Sequence, residues 1–327
     1  MTKMVEICYL NVLLNDKCLV EGSFSLLPKE IKDYIISLTK NKVYDLCLID
    51  KYFDNNCKII RIVNNFNYPL INDIRLKSLI NLTSLLCLNH GITDEGIKEL
   101  LNIKYINLMY NNIITNKGIE GLINLTDINL SKNEKITNEA IKRFNSVVCL
   151  DLMDNNMITD EGIKGFINLT SLDLCHNEII TDEGIKGFTN LISLHLFKNK
   201  VITDEGIKGL INIKFLNLRS NNKITDNGLN KLTNLISINL DSNNMITNEG
   251  LKSLTNLISL DLNCNKKITN KRVNDLTNLT YLSLFGNNKI TNEGIERLTN
   301  LISLNLTNNQ IITTQGTKKL VNLEKIF

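Results

Sequence analysis

Residues 169–190 read LTSLDLCHNEIITDEGIKGFTN, and the pattern inside them returns along most of the chain. Leu169, Leu172 and Leu174 alternate with polar residues, the period of a short strand with one buried face. Ile185 and Phe188, three apart, have helical spacing instead. Between the two runs stands the pair Ile180–Thr181. It recurs with Ile at 92, 114, 136, 158, 180, 202, 224, 246, 268, 290 and 312, always 22 residues apart. One apolar strand face and one apolar helical stripe cannot be buried by 22 residues alone. Stacking on copies of the same unit buries both, so the period predicts a repeat array.

Each intervening position has a predicted role. The Asn column runs from Asn111 to Asn309 at every 22nd residue and falls where the chain leaves the strand. Its side-chain amides are expected to satisfy turn backbone groups that would otherwise be buried unpaired. Thr181 and Asp182 offer N-capping oxygens to the short helix. Gly184 recurs in nine of eleven units, Ala140 and Arg272 being the exceptions, which suggests close helix packing. Glu161–Lys164, Glu183–Lys186 and Glu205–Lys208 are i,i+3 pairs of a solvated helix face. Asn-Leu-Thr sequons, as at Asn124 and Asn168, are read as by-products of the consensus.

The pattern L-x-x-L-x-L-x-x-N-x-x-I-T-[DN]-x-G-I-x-x-L resembles the leucine-rich-repeat family. Its Ile-Thr-Asp-x-Gly element is similar to the variant of F-box/leucine-rich-repeat proteins, although there the Asn is often Cys and the unit is a few residues longer. The resemblance implies an α/β solenoid with a curved parallel sheet inside and short helices outside. The array is expected over 60–327, with about eleven 22-residue repeats after a degenerate first one around Ile60, Ile62 and Asn65. Leu76, Leu79 and Leu82 follow the pattern, either Asn89 or His90 takes the first Asn position, and Leu323 and Ile326 begin a last strand.

Residues 1–59 do not repeat. Residues 1–23 match nothing, whereas Leu27, Ile31, Ile35 and Leu38 have helical spacing with Pro28 at the helix start. The segment LPKEIKDYIISL…LCLIDKYF within 24–59 resembles an F-box. That resemblance implies docking on a Skp1-type adaptor of a cullin ubiquitin ligase through Leu27, Pro28, Ile31 and Ile35, with the repeats selecting the substrate. The other reading is an amphipathic cap over the first repeat. Large DNA viruses of amoebae carry similar proteins with similar Asn-, Ile- and Lys-rich composition.

The totals narrow the functions. Basic and acidic side chains number 37 and 34, which argues against a generic polyanion-binding surface, so no nucleic acid is expected. No run approaches the roughly 18 apolar residues of a membrane span, and the N-terminus lacks the apolar core of a signal peptide. A cytoplasmic or nuclear protein is therefore expected, with its eight cysteines as thiols. Without a Cys-x-x-Cys pair and with only three His, no metal or other cofactor is expected. Phosphate-loop, Gly-x-Ser-x-Gly and His-Glu-x-x-His motifs are absent, so no enzyme is expected. His176 and His195 lie near Cys175 and Asp173, but on variable strand positions facing outward, which reads as chance neighbourhood rather than a nucleophile and its base.

Residues 9, 7 and 5 before each Ile are expected to face outward on the concave side. The middle column is polar, with Asp151, Asp173 and Asp261 alternating with Asn. Large side chains stand out against it: Tyr105 and Met109, then Phe197, Phe215 and Arg219, then Tyr281 and Phe285. Aromatic and Arg residues among small polar ones suit a protein-binding anchor.

Overall fold

The computed structural model describes residues 61–64, 72–77, 79–87 and 91–327. Leu27, Pro28, Ile31 and Ile35, with both N-terminal segments, lie outside the described residues, as do Asn65, Asn89 and His90. Contacts divide the chain into two compact units. The first holds residues up to Asn129 with Asn133–Ile136, and the second holds Leu130–Lys132 and Thr137–Phe327.

In the first unit β1 (Arg61–Asn64), β2 (Ser84–Cys87), β3 (Tyr105–Asn107) and β4 (Asp127–Asn129) pair in parallel, each with the next. Ile62 pairs with Leu85, so the degenerate first strand exists. Leu76, Leu79 and Leu82 are fully buried, as the pattern requires. Among the described residues of this unit are the helices α1 (Asp73–Lys77), α2 (Asp94–Ile97) and α3 (Asn116–Ile119).

In the second unit nine strands follow one another in parallel. They are β5 (Cys149–Asp151), β6 (Ser171–Asp173), β7 (Ser193–His195), β8 (Phe215–Asn217), β9 (Ser237–Asn239), β10 (Ser259–Asp261), β11 (Tyr281–Ser283), β12 (Ser303–Asn305) and β13 (Lys325–Ile326). Each strand is offset from its neighbour by one 22-residue period, as in Asp173↔His195 and His195↔Asn217. The strand expected at the end of the chain forms, with Ile326 opposite Leu304. Helices α4 (Asn138–Ile141), α5 (Asp160–Ile163), α6 (Asp182–Ile185), α7 (Asp204–Ile207), α8 (Asp226–Leu229), α9 (Asn270–Val273), α10 (Asn292–Ile295) and α11 (Thr314–Thr317) are single turns. The corresponding residues 248–253 form turns and no helix.

The core is built from the expected columns. Leu169, Leu172, Leu174, Ile180, Ile185 and Phe188 are each at most 3% exposed. Burying one such side chain stabilises by about 1.5–3 kcal/mol, and the column repeats that contribution in every unit. The Asn column works as expected. Asn177 Oδ1 accepts the Ile179 and Ile180 N–H groups at 3.0 and 2.9 Å. Its Nδ2 donates to the Leu152 and Asn155 carbonyls of the preceding repeat, both at 3.0 Å. A second ladder runs through an Asn three residues before most strands. Asn190, Asn212 and Asn234 Nδ2 donate to the carbonyls of Ile167, Thr189 and Ile211 at 3.0, 2.8 and 3.0 Å. Asn124 does the same to Leu101, so the sequon Asn is a structural position of the repeat consensus.

One role differs from expectation. Asp182 does not cap its own helix. Its Oδ1 accepts the Thr203 N–H and its Oδ2 the Thr203 hydroxyl, at 2.8 and 2.6 Å, one repeat onward. Thr203 alone caps α7, accepting from Glu205 N–H. That clamp explains the glycine column: a Cβ on Gly206 would overlap Asp182 Oδ1, and one on Gly184 would overlap Asp160 Oδ1. The glycines are needed for space, not for their dihedrals.

Candidate functional site

Along the strands, buried and outward residues alternate, and the seven candidate anchors all lie on the outward face. In the first unit Tyr105 and Met109 are half-buried, with the Tyr105 hydroxyl 3.4 Å from Asn107 Nδ2. In the second unit Tyr281 is 36% exposed, and Phe285 on the same strand side is half-buried. Phe215 is 46% exposed, beside Ser193 and Ser237 in register.

Phe197 and Arg219 are brought together. The guanidinium carbon stands 5.1 Å from the Phe197 ring centre, and Lys198 Nζ approaches the same ring at 5.1 Å. His176 meets it edge-on, with centroids 5.0 Å apart. Both cations are within the roughly 6 Å over which a ring quadrupole attracts positive charge. Arg219 is also held from the other side, its Nε 3.0 Å from Asp241 Oδ2. Lys198 and Asp241 complete the cluster. Asp241 lies 22 residues from Arg219, so spacing does not announce that contact, whereas Lys198 is the chain neighbour of Phe197.

His176 is not a strand residue as the spacing suggested. It occupies a turn with φ +54°, in a column where Tyr110, Lys132, Asp154, Lys198, Ser220, Ser242, Cys264 and Asn308 are also left-handed. Gly286 is the one glycine of that column. The remaining residues cost roughly 1–2 kcal/mol each in this region, a strain repeated because the turn geometry is shared.

The outward carboxylates also have a structural task. Asp151, Asp173 and Asp261 accept the N–H two residues ahead, from Met153, Cys175 and Asn263 at 3.0, 2.8 and 2.9 Å. Burial pushes the Asp151 and Asp261 carboxyls above the ordinary range. Burial pushes Asp173 up as well, but hydrogen bonds from His195 and Cys175 outweigh it and hold this carboxyl low. His195 Nδ1 is 3.3 Å from Asp173 Oδ2, and that contact raises the imidazole against its burial. Burial and the Asp173 charge push the Cys175 thiol upward. Among the described residues no helix is long and apolar enough to cross a membrane.

No curated protein matches the sequence significantly. Among solved structures, an internalin of Listeria monocytogenes (InlF) is 22% identical with a TM-score of 0.51, over 78% of this chain and 88% of its own. A chain of the Drosophila Toll–Spätzle complex is 18% identical with a TM-score of 0.56, over 82% of this chain. A chain of the TLR13–ssRNA13 complex is 22% identical with a TM-score of 0.59, over 85% of this chain. This chain spans 42% and 44% of the length of those two. The family described as Leucine Rich repeat matches residues 99–123, 145–166, 167–188, 189–211, 209–232, 231–255, 275–298 and 297–321. The two gaps inside that series hold Ala140 and Arg272, the two departures from the glycine column. With its repeats matched over more than half its length and its strands stacked in period, the chain belongs to the leucine-rich-repeat family.

Proposed function

We propose that this protein is a non-catalytic scaffold that captures a protein partner on its outward strand face, with Phe215 and the Phe197–Arg219 cluster as the anchor. The observation that carries this reading is the pinned Arg219, stacked on Phe197 and held by Asp241 amid small polar side chains. A preorganised planar cation beside an exposed aromatic loses little freedom when a partner covers it. The fold's relatives are found in complex with a protein and with an RNA. Here Asp151, Asp173, Asp241 and Asp261 lie on the same face, a charge pattern that disfavours a phosphate backbone and favours protein. Tyr281 with Phe285, and Tyr105 with Met109, are further contact points in the same reading.

The finer reading is a substrate receptor of a cullin-type ubiquitin ligase, in the cytoplasm or nucleus, its 24–59 segment docked on a Skp1-type adaptor. It is supported by the F-box-like Leu27, Pro28, Ile31 and Ile35. The alternative is a free-standing repeat protein. A pull-down of purified adaptor by the full chain separates them. Capture that is lost on replacing Leu27 and Ile31 with Ala, with the unfolding midpoint unchanged, supports the receptor. Absence of capture by folded protein leaves the free-standing scaffold. For the anchor, Phe215→Ala should weaken a captured partner at least about tenfold while leaving thermal unfolding unmoved. A parallel loss of stability would show that the ring is packing, not binding.

A further inference from the structure

Cys175 and His195 each break the column in which they stand, and they do so side by side. From Asn107 to Asn305 the middle outward column is Asn, Asp or Ser except at His195. From Met109 to Thr307 the third column holds a thiol only at Cys175. Asp173 and His195 are register partners on β6 and β7, and Cys175 lies two residues beyond Asp173 on the same strand side. One donor atom from each of the three residues lies within 4.8 Å of the other two. Among the described residues this is the one gathering of three such groups.

We infer that Asp173, Cys175 and His195 form a binding site for a divalent metal ion of the zinc type. The donor set mixes a sulfur, an imidazole nitrogen and a carboxylate oxygen, which suits zinc and not the oxygen-seeking calcium or magnesium. Asp173 Oδ2 and His195 Nδ1 are 3.3 Å apart. That is the edge of a tetrahedron whose nitrogen and oxygen ligands stand at about 2.0–2.1 Å from zinc, roughly 3.3 Å. The sulfur edge of such a site is about 3.5 Å, and the Cys175 sulfur, in the turn that follows β6, lies within 4.8 Å of the other two donors. Asp173 Oδ1 is already engaged by the Cys175 N–H at 2.8 Å, which orients the carboxylate and leaves Oδ2 toward the imidazole. Such outer hydrogen bonds on a ligating carboxylate are what position a metal ligand. On binding, the Cys175 S–H proton passes to solvent as the sulfur–metal bond forms. Three protein ligands leave the fourth position to water or to a donor from outside the chain.

The rival arrangement is an ordinary histidine–carboxylate pair with a bystander thiol, which would hold no ion. Cobalt(II) titration of the metal-free, reduced full chain separates the two. Expected is a thiolate-to-cobalt charge-transfer band and the intense visible bands of tetrahedral cobalt, saturating at one equivalent and displaced by zinc. Cys175→Ser should remove the charge-transfer band, and His195→Asn should weaken cobalt binding by at least about tenfold. Asn is the column's own residue at Asn217 and Asn239, so His195→Asn keeps the fold, which circular dichroism verifies. Zinc should raise the unfolding midpoint of the wild type and not of His195→Asn. Equal cobalt affinity in both proteins, or no charge-transfer band in the wild type, would overturn the site.

Discussion

Within the second unit, the stretch from Asp160 to Thr247 and the stretch from Asn248 to Thr313 use the same repeat but reverse one hydrogen bond. In the first, Thr181, Thr203, Thr225 and Thr247 donate their hydroxyl protons to Asp160, Asp182, Asp204 and Asp226 at 2.5–2.6 Å. Their lone pairs remain available, and each accepts the N–H two residues on at 3.3 Å. In the second, Asn248, Asn270 and Asn292 donate Nδ2 to Thr269, Thr291 and Thr313 at 2.9, 2.7 and 2.9 Å. The Thr backbone N–H still reaches the Asn Oδ1 at 2.9–3.0 Å, so the repeats stay clamped. None of these three hydroxyls caps its helix. Exchanging a carboxylate oxygen for an NH₂ keeps the link between repeats and gives up the cap within one.

The second stretch carries a further cost at Arg272, which stands where glycine leaves room for the preceding helix. That preceding segment, 248–253, is the one without a helix. Ser253 Oγ and Arg272 Nε are also buried with no side-chain or backbone partner. Burial of an unpaired polar atom costs on the order of 1–3 kcal/mol.

The largest effect should come from what both stretches share. Asn221→Ala and Asn287→Ala each remove the amide serving two carbonyls and two N–H groups, and each should lower unfolding free energy by about 3 kcal/mol in urea. Unequal losses would mean that the two stretches differ in more than their clamps. A smaller effect of opposite sign should come from the clamp itself. Asp204→Asn should lower stability by about 1 kcal/mol, and Asn270→Asp should raise it by a similar amount. Equal and negligible shifts would show that the hydroxyl cap is without consequence. The smallest is Arg272→Gly, expected to gain about 0.5–1 kcal/mol and a little helical circular dichroism as 248–253 closes into a turn of helix. A loss of stability there would show that the arginine stem packs usefully.

The sequence made the repeat, the buried columns and the first Asn ladder legible, because each depends on a residue's place within its own 22-residue period. Leu194 or Asn199 behaves as its column does, with no neighbour needing to be known. The left-handed turn was hidden, since Lys198, Ser220 and Cys264 advertise nothing and only Gly286 gives a hint. The candidate anchors were legible as outward residues, but the pinning of Arg219 by Asp241 was not. Asp173, Cys175 and His195 were visible as neighbours and set aside, because spacing alone gives no distance between donor atoms.

By itself the sequence determined that strands and helical turns alternate, which faces they bury, and that the unit must stack. Periodicity carries that information, and apolar burial enforces it at every repeat. Only the tertiary structure decided which polar side chains meet across repeats. Asp182 serves Thr203 rather than its own helix, Phe197 receives two cations, and the Asp173 carboxylate turns to His195. The physical reason is that stacking sets equivalent residues on adjacent strands, while the direction of each donor and acceptor depends on rotamers that no spacing encodes.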